Sequence, residues 1–119
     1  MESDIQLARL NKALALERLG GDEELLQELA GLFLDEYPAL IDKIRTAIDA
    51  QDAHGIERAA HSLKGSVGNF GAERAHRAAL DLEMIGRNGN IADARQLFAK
   101  LEAAMNDVQP EILSLAATH

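Results

Sequence analysis

The sequence predicts an all-α protein, an up-down-up-down antiparallel four-helix bundle with a short N-terminal helix that caps it. Leu and Ala dominate the apolar residues, and aromatic residues make up 3% of the chain, a composition typical of closely packed helices. Four long segments repeat apolar residues at steps of three and four, which is the helical period. The connections between them are short, and short connections favour antiparallel neighbours.

Length and composition narrow the class of protein. The 119 residues suit a single domain over residues 1–119, with a lead-in and capping helix in residues 1–20 and the bundle in residues 22–116. Without Cys, the chain has no disulfide, thiolate zinc site or cysteine nucleophile. A net charge of −8 without a basic run argues against nucleic-acid binding. No apolar run of membrane-spanning length is present, so we expect no direct membrane insertion.

The first two helices are bounded by capping residues and glycines. Asn11 is predicted to cap a helix over residues 12–19, which Gly20 and the next glycine end. Asp22 is predicted to cap a second helix to about residue 50, kinked at Pro38 but continuous across it. Its predicted buried stripe consists of Leu25, Leu29, Leu32, Phe33, Leu40 and Ile44.

Glu36 falls within that predicted apolar stripe. A carboxylate that faces a core needs a partner, because burying an unpaired charge costs free energy. One interpretation is a position at the rim, where Glu36 reaches water or an Arg. The sharper interpretation is that Glu36 accepts a hydrogen bond from a histidine ring on the next helix.

The next two helices follow the same signals. Asp52 is predicted to cap a third helix over residues 53–69, and Gly71 is predicted to break it. A fourth helix is predicted over residues 72–85, with small apolar residues that permit close approach. Residues 86–89, Gly-Arg-Asn-Gly, are predicted to form a turn.

The last helix is predicted to begin after Asn90. Asn90 is interpreted as its N-cap, with Asp93 at the third helical position. Apolar residues then recur at steps of three and four as far as Leu115. Pro110 lies off that stripe, so we expect it to kink the helix without disturbing the buried face.

The third helix carries two distinct faces. Its apolar stripe consists of Ile56, Ala60, Leu63, Val67 and Phe70. A second face carries His61, Lys64, Gly65 and Gly68. Each Gly inside a helix costs about 1 kcal/mol relative to Ala, so two on one face suggest that something large approaches His61.

This second face is suited to nucleophilic chemistry on a phosphoryl group. An exposed imidazole is a good nucleophile near neutral pH, and His is a known covalent nucleophile. Lys64, one turn on, would offset the charge of a bound phosphoryl group. If Glu36 held Nδ1 of the ring, Nε2 would be free to attack. The plainer interpretation is that His61 is an ordinary solvated surface histidine and that Lys64 lies nearby by chance. His54 and Arg58 share the same face, and we interpret both as solvated surface residues.

Several catalytic classes lack their motifs. The chain has no glycine-rich phosphate-binding loop and no Gly-x-Ser-x-Gly nucleophile elbow. Di-metal centres in helical bundles use paired Glu-x-x-His motifs, which are absent, so a metal centre is not expected.

The motif closely resembles a known signature. Residues 60–72, AHSLKGSVGNFGA, resemble that of the histidine-containing phosphotransfer (HPt) domains of bacterial phosphorelays, and so do residues 19–26 and 33–36. The resemblance covers residues 11–108. It implies that His61 accepts a phosphoryl group from a receiver aspartyl phosphate and passes it to another receiver. It also implies that Lys64 is the phosphate-side cation.

The resemblance assigns further roles and partners. Gly65 would be the clearance position for a docking partner, Gly68 would belong to the same face, and Glu36 would occupy roughly the place of the Gln or Glu that holds the ring. The domain would have no cofactor of its own, because the receiver supplies the Mg²⁺. The implied partners are response-regulator receivers and a hybrid sensor histidine kinase. A cytoplasmic monomer is expected, either free-standing or as the cytoplasmic C-terminal domain of a membrane-bound kinase.

The sequence also permits two other functions. One is a helical adaptor or scaffold in which His61 is never phosphorylated. The other is an autonomous enzyme, such as a phosphohistidine phosphatase or a small metal-dependent hydrolase. The second would require an additional acid, base or metal set, which the sequence does not show.

Overall fold

The computed structural model describes residues 10–117, which form five helices and no strand. The helices are α1 (Lys12–Arg18), α2 (Glu23–Asp49), α3 (Ala53–Gly68), α4 (Glu73–Asn88) and α5 (Ala94–Ala117). Each long helix packs against the next, and α5 returns to pack against α2. The predicted four-helix bundle with a short N-terminal helix is confirmed.

Three helices begin at the predicted capping residues. The side chains of Asn11, Asp22 and Asp52 each accept a hydrogen bond of 3.0 Å from the backbone N–H three residues on. Each such bond satisfies one of the N–H groups that a helix start leaves without a partner. These residues therefore determine where α1, α2 and α3 begin.

The short helix α1 is anchored to the end of α3. Asn11 donates its backbone N–H to the Phe70 carbonyl at 3.1 Å, and Arg18 donates from Nη1 to the Gly68 carbonyl at 2.7 Å. A guanidinium at a helix C-terminus also meets the negative end of the helix dipole. The capping role predicted for this helix therefore has specific contacts, while residues 1–9 of the predicted lead-in lie outside the described part of the chain.

The buried face of α2 matches the predicted stripe only in part, since Phe33 and Ile44 are buried as predicted and other members are not. Its buried residues are Leu26, Ala30, Phe33, Ile41, Ile44, Ala47 and Ile48. Leu32 is 56% exposed, and Leu25 is exposed as well. Apolar residues occur side by side along α2, so several stripes one residue apart satisfy the same spacing. As predicted, α2 continues through Pro38 as one helix.

Two boundaries near α4 and α5 also differ from the prediction. Gly86 is helical, because α4 continues to Asn88 and ends at Gly89, which has a left-handed φ of 82°. Gly86 packs against α3, where an added Cβ would lie 2.6 Å from the Glu57 backbone nitrogen. The predicted turn at residues 86–89 is therefore wrong for most of its length, since this glycine serves interhelical contact. Asn90 does not cap α5, because the helix begins only at Ala94.

The core is built from every long helix, and it orients α3. The predicted stripe of α3 is confirmed, because Ile56, Ala60, Leu63 and Val67 are fully buried and Phe70 nearly so. A helix that buries one face exposes the opposite one. The second face of α3 is consequently directed out of the bundle. Between residues 10 and 117, no helix is long and apolar enough to cross a membrane.

Candidate functional site

His61 lies on the outward face of α3, and its side chain is 65% exposed. It belongs to the exposed residues of that helix, with His54, Arg58, Ser62 and Gly65. The predicted exposure of the ring follows directly from the confirmed apolar stripe. A reagent or a protein in solution can therefore reach the imidazole.

The ring is held by a carboxylate from α4. His61 Nδ1 lies 2.9 Å from Oε2 of Glu83, whose residue is only 2% exposed. An ionised carboxylate can only accept hydrogen bonds, so Nδ1 carries the proton and donates it. Nε2 then carries the lone pair. The contact therefore fixes both the tautomer of the ring and its orientation.

Two cations share the same carboxylate. Lys64 Nζ lies 2.8 Å from Glu83 Oε1, an ion-pair distance, although its angles fall outside those of a regular hydrogen bond. Arg87, one turn after Glu83 on α4, donates from Nη2 to Oε2 at 2.8 Å. We call these four residues, His61, Lys64, Glu83 and Arg87, the Glu83 cluster. It joins α3 to α4 directly beneath the exposed ring.

The Glu83 carboxylate remains ionised despite its burial. Burial alone would raise the pKa of Glu83, but the contacts from Lys64 and His61 stabilise the charged form more strongly. The result is a pKa below the ordinary value of 4.5. Glu83 is therefore negatively charged near neutral pH, which supports its role as the acceptor for Nδ1–H.

The prediction that Glu36 holds the His61 ring is wrong. Glu36 is exposed on α2, and the carboxylate at Nδ1 belongs to Glu83 on α4. The physical reason is the orientation of α2, because three of its buried residues, Leu26, Ala30 and Ile41, each lie one position after a residue of the predicted stripe. That rotation carries Glu36 away from the core.

The two glycines of the predicted face have different surroundings. A Cβ added at Gly65 would meet nothing within 4 Å, so the surface there is open. A Cβ added at Gly68 would lie 3.2 Å from the His76 ring of α4, and the Gly68 carbonyl accepts the Arg18 hydrogen bond. Gly65 therefore leaves space beside His61, whereas Gly68 lies between elements of the bundle.

Sequence reasoning missed Glu83 and Arg87, although a signal for Glu83 exists. Glu83 lies directly after Leu82 and four residues after Ala79, inside the small-residue stripe of α4. A carboxylate in that position needs a partner, by the same argument that applies to Glu36. Arg87 follows four residues later, a spacing typical of an intrahelical ion pair. The predicted turn at residues 86–89 hides this spacing, because it places Arg87 outside the helix.

Within the described residues, the site does not extend to a metal centre. Residues 10–117 contain no group of three His, Asp or Glu side chains placed to hold a metal ion. On the flank of α3 that faces α2, away from the Glu83 cluster, a shallow groove runs between the two helices. We call it the α2–α3 groove, and its lining includes Leu40, Lys43, Thr46, Arg58 and Ser62.

Comparisons with known proteins identify the family and the fold. The family model of the Hpt domain matches residues 28–111, which is more than half of the chain. A crystal structure of histidine-containing phosphotransfer protein B (HptB) from Pseudomonas aeruginosa PAO1 is similar, with a TM-score of 0.81 and 23% sequence identity over 88% of this chain and 91% of that one. A search of curated proteins gives no match. On the strength of the family match, the chain belongs to the Hpt domain family, the histidine phosphotransfer intermediates of phosphorelays.

Proposed function

We propose that His61 is the residue through which this phosphorelay intermediate carries its phosphoryl group. The observation that carries the proposal is an exposed imidazole whose Nδ1 is bound to a buried carboxylate. That arrangement leaves Nε2 as the free nucleophile. His54 is also exposed on α3, but the partner of its ring, Glu57 at 3.8 Å, has a side chain that is 26% exposed.

The transfer step moves one phosphoryl group between two side chains. The Nε2 lone pair of His61 attacks the phosphorus of a receiver aspartyl phosphate, and a nitrogen–phosphorus bond forms. The bond between phosphorus and the aspartate oxygen breaks, and its electron pair returns to the carboxylate. The ring becomes positively charged and keeps its proton on Nδ1, where Glu83 stabilises it. The reverse step delivers the group to a second receiver.

Charge and space near Nε2 support this step. Lys64 lies one turn after His61, so its ammonium is close enough to compensate the charge of a phosphoryl group. Open space at Gly65 lets a partner approach the ring closely. Lys64→Ala is expected to slow transfer or shorten the life of the phosphorylated form while leaving the fold intact.

The partner is a receiver domain docked on the outward face of α3, beside the α2–α3 groove. This chain contributes the acceptor ring and its surrounding charges, and the receiver contributes Mg²⁺ and its acidic pocket. The domain needs no autonomous catalytic machinery or cofactor for that exchange. We further propose a cytoplasmic monomer that receives phosphoryl groups from a hybrid sensor kinase.

Phosphoryl transfer from labelled receivers tests the proposal. The purified domain is mixed with a panel of phosphorylated receivers, and the label on the domain is followed with time. His61→Gln is expected to abolish an acid-labile, base-stable label, whereas His54→Gln is expected to be labelled as the wild type is. Equal labelling of His61→Gln would contradict the proposal. An adaptor would take no label from any receiver, and an enzyme would show turnover without one.

A further inference from the structure

The buried carboxylate of Glu83 has two cationic partners where one would neutralise it. Lys64 and Arg87 each lie 2.8 Å from one of its oxygens. A buried carboxylate that loses all of its cations is strongly destabilising, since its charge then lacks both water and a partner. One cation is thus sufficient at rest, and the second requires its own explanation.

The two cations differ in how firmly they are held. Arg87 is fixed on two sides, because its Nε donates to Glu57 Oε2 at 3.1 Å while its Nη2 donates to Glu83. A planar guanidinium that bridges two carboxylates is oriented by both of them. Lys64 contacts Glu83 through a single flexible ammonium. Lys64 is therefore the partner that can leave the carboxylate.

We propose that Arg87 is a positioning residue that keeps Glu83 paired and directed at His61 Nδ1 when Lys64 leaves the carboxylate for the phosphoryl group. This inference rests on the proposed function of His61. At rest both cations share Glu83. During transfer Lys64 turns to the incoming phosphoryl oxygens, and Arg87 alone compensates the buried charge. Without Arg87, Lys64 is held on Glu83 and is withheld from the phosphoryl group.

The first test removes the charge of Arg87. Arg87→Gln is expected to slow phosphoryl transfer from a receiver about tenfold, since each 1.36 kcal/mol of lost transition-state stabilisation is a factor of ten. The dissociation constant for the receiver should stay unchanged. Arg95→Gln is the matched control, because Arg95 forms an exposed ion pair with Asp49 between α5 and α2. Arg87→Lys is expected to restore part of the rate.

A double-mutant cycle shows whether Arg87 acts through Glu83. Glu83→Gln removes the carboxylate charge and keeps an oxygen that can accept from Nδ1–H, so Lys64 is free in this background. Arg87→Gln is then expected to change the transfer rate less than about twofold. The same tenfold loss in both backgrounds would overturn the inference, as would no loss in either. A weaker receiver complex would instead show that Arg87 binds the partner directly, which also overturns it.

A small phosphodonor separates failure of this inference from failure of the proposed function. Phosphoramidate carries a transferable phosphoryl group and has no docking surface. If it labels the wild type on His61 and labels Arg87→Gln at the same rate, the inference fails while the proposed function stands. If neither phosphoramidate nor any receiver labels His61, the proposed function itself fails.

Discussion

The two flanks of α3 differ in the burial of their carboxylates and in how closely they are packed. On the flank toward α4, Glu83 is buried and holds the ring, and Gly86 lies against the α3 backbone. On the flank toward α2, Glu36 is exposed and the α2–α3 groove is open to solvent. His61 stands where the closed flank meets the open surface.

Because of this difference, one helix can both orient the His61 ring and leave it accessible to a partner. The closed flank supplies orientation, since a buried carboxylate determines which ring nitrogen carries the proton. The open face supplies access, because His61 is exposed and no atom lies within 4 Å of a Cβ added at Gly65. Substitutions of the same chemical type should consequently have large effects on the closed flank and small ones elsewhere.

The largest effect is expected from closing the gap at Gly86. A Cβ there would lie 2.6 Å from the Glu57 nitrogen and 2.7 Å from the Ala53 carbonyl, and these backbone atoms cannot turn aside. Gly86→Ala should therefore force α3 and α4 apart and lower the free energy of unfolding by about 3 kcal/mol. Urea unfolding followed by far-UV circular dichroism measures this. An unchanged midpoint would show that the two helices do not pack this closely.

The two glutamates give the next contrast. Glu83→Ala removes the shared acceptor of the Glu83 cluster, and the cost is limited because Lys64 and Arg87 can both turn toward water. We expect a loss of about 2 kcal/mol in the free energy of unfolding. Glu36→Ala, at an exposed position, should change it by less than about 0.5 kcal/mol. Equal effects of the two substitutions in urea titrations would contradict the assignment of Glu83, rather than Glu36, to the ring.

Acid should reduce the contribution of Glu83 to the free energy of unfolding. In the folded chain the pKa of Glu83 lies below 4.5. The ionised carboxylate therefore stabilises the fold at pH values above the pKa of the unfolded chain, and this stabilisation is lost as the pH falls through the pKa of the folded chain. The difference in unfolding free energy between wild type and Glu83→Gln should be constant above pH 4.5 and change below it. Urea titrations at a series of pH values measure the difference. A constant difference at all pH values would show that Glu83 is not the acid-sensitive group.

The outward-facing motif could be predicted from sequence because its helix has an unambiguous phase. Asp52 caps α3, and its large buried residues Ile56, Leu63 and Val67 have no large apolar neighbour in sequence that would offer a second register. The position and exposure of His61 follow from those two facts. The bundle itself was predictable in the same way, from caps and periodicity.

The partner of the ring could not be obtained in the same way. On α2, adjacent apolar residues such as Leu25 and Leu26 permit two registers, and the choice between them decides where Glu36 points. On α4, Gly86 resembles a turn residue until the contact with α3 is known. Both errors arise because packing between helices, and not the spacing within one helix, determines the outcome.

A modest gain in stability is expected at Gly65, the glycine on the open surface. Because an added Cβ meets nothing within 4 Å, Gly65→Ala should raise the free energy of unfolding by about 0.5–1 kcal/mol through helix propensity. The methyl group would nevertheless stand where a receiver approaches His61, so transfer from a receiver should slow while labelling by phosphoramidate should not. Gly31→Ala is the matched control, since Gly31 is also helical and open. Equal transfer rates for the two variants would show that clearance at Gly65 is not required.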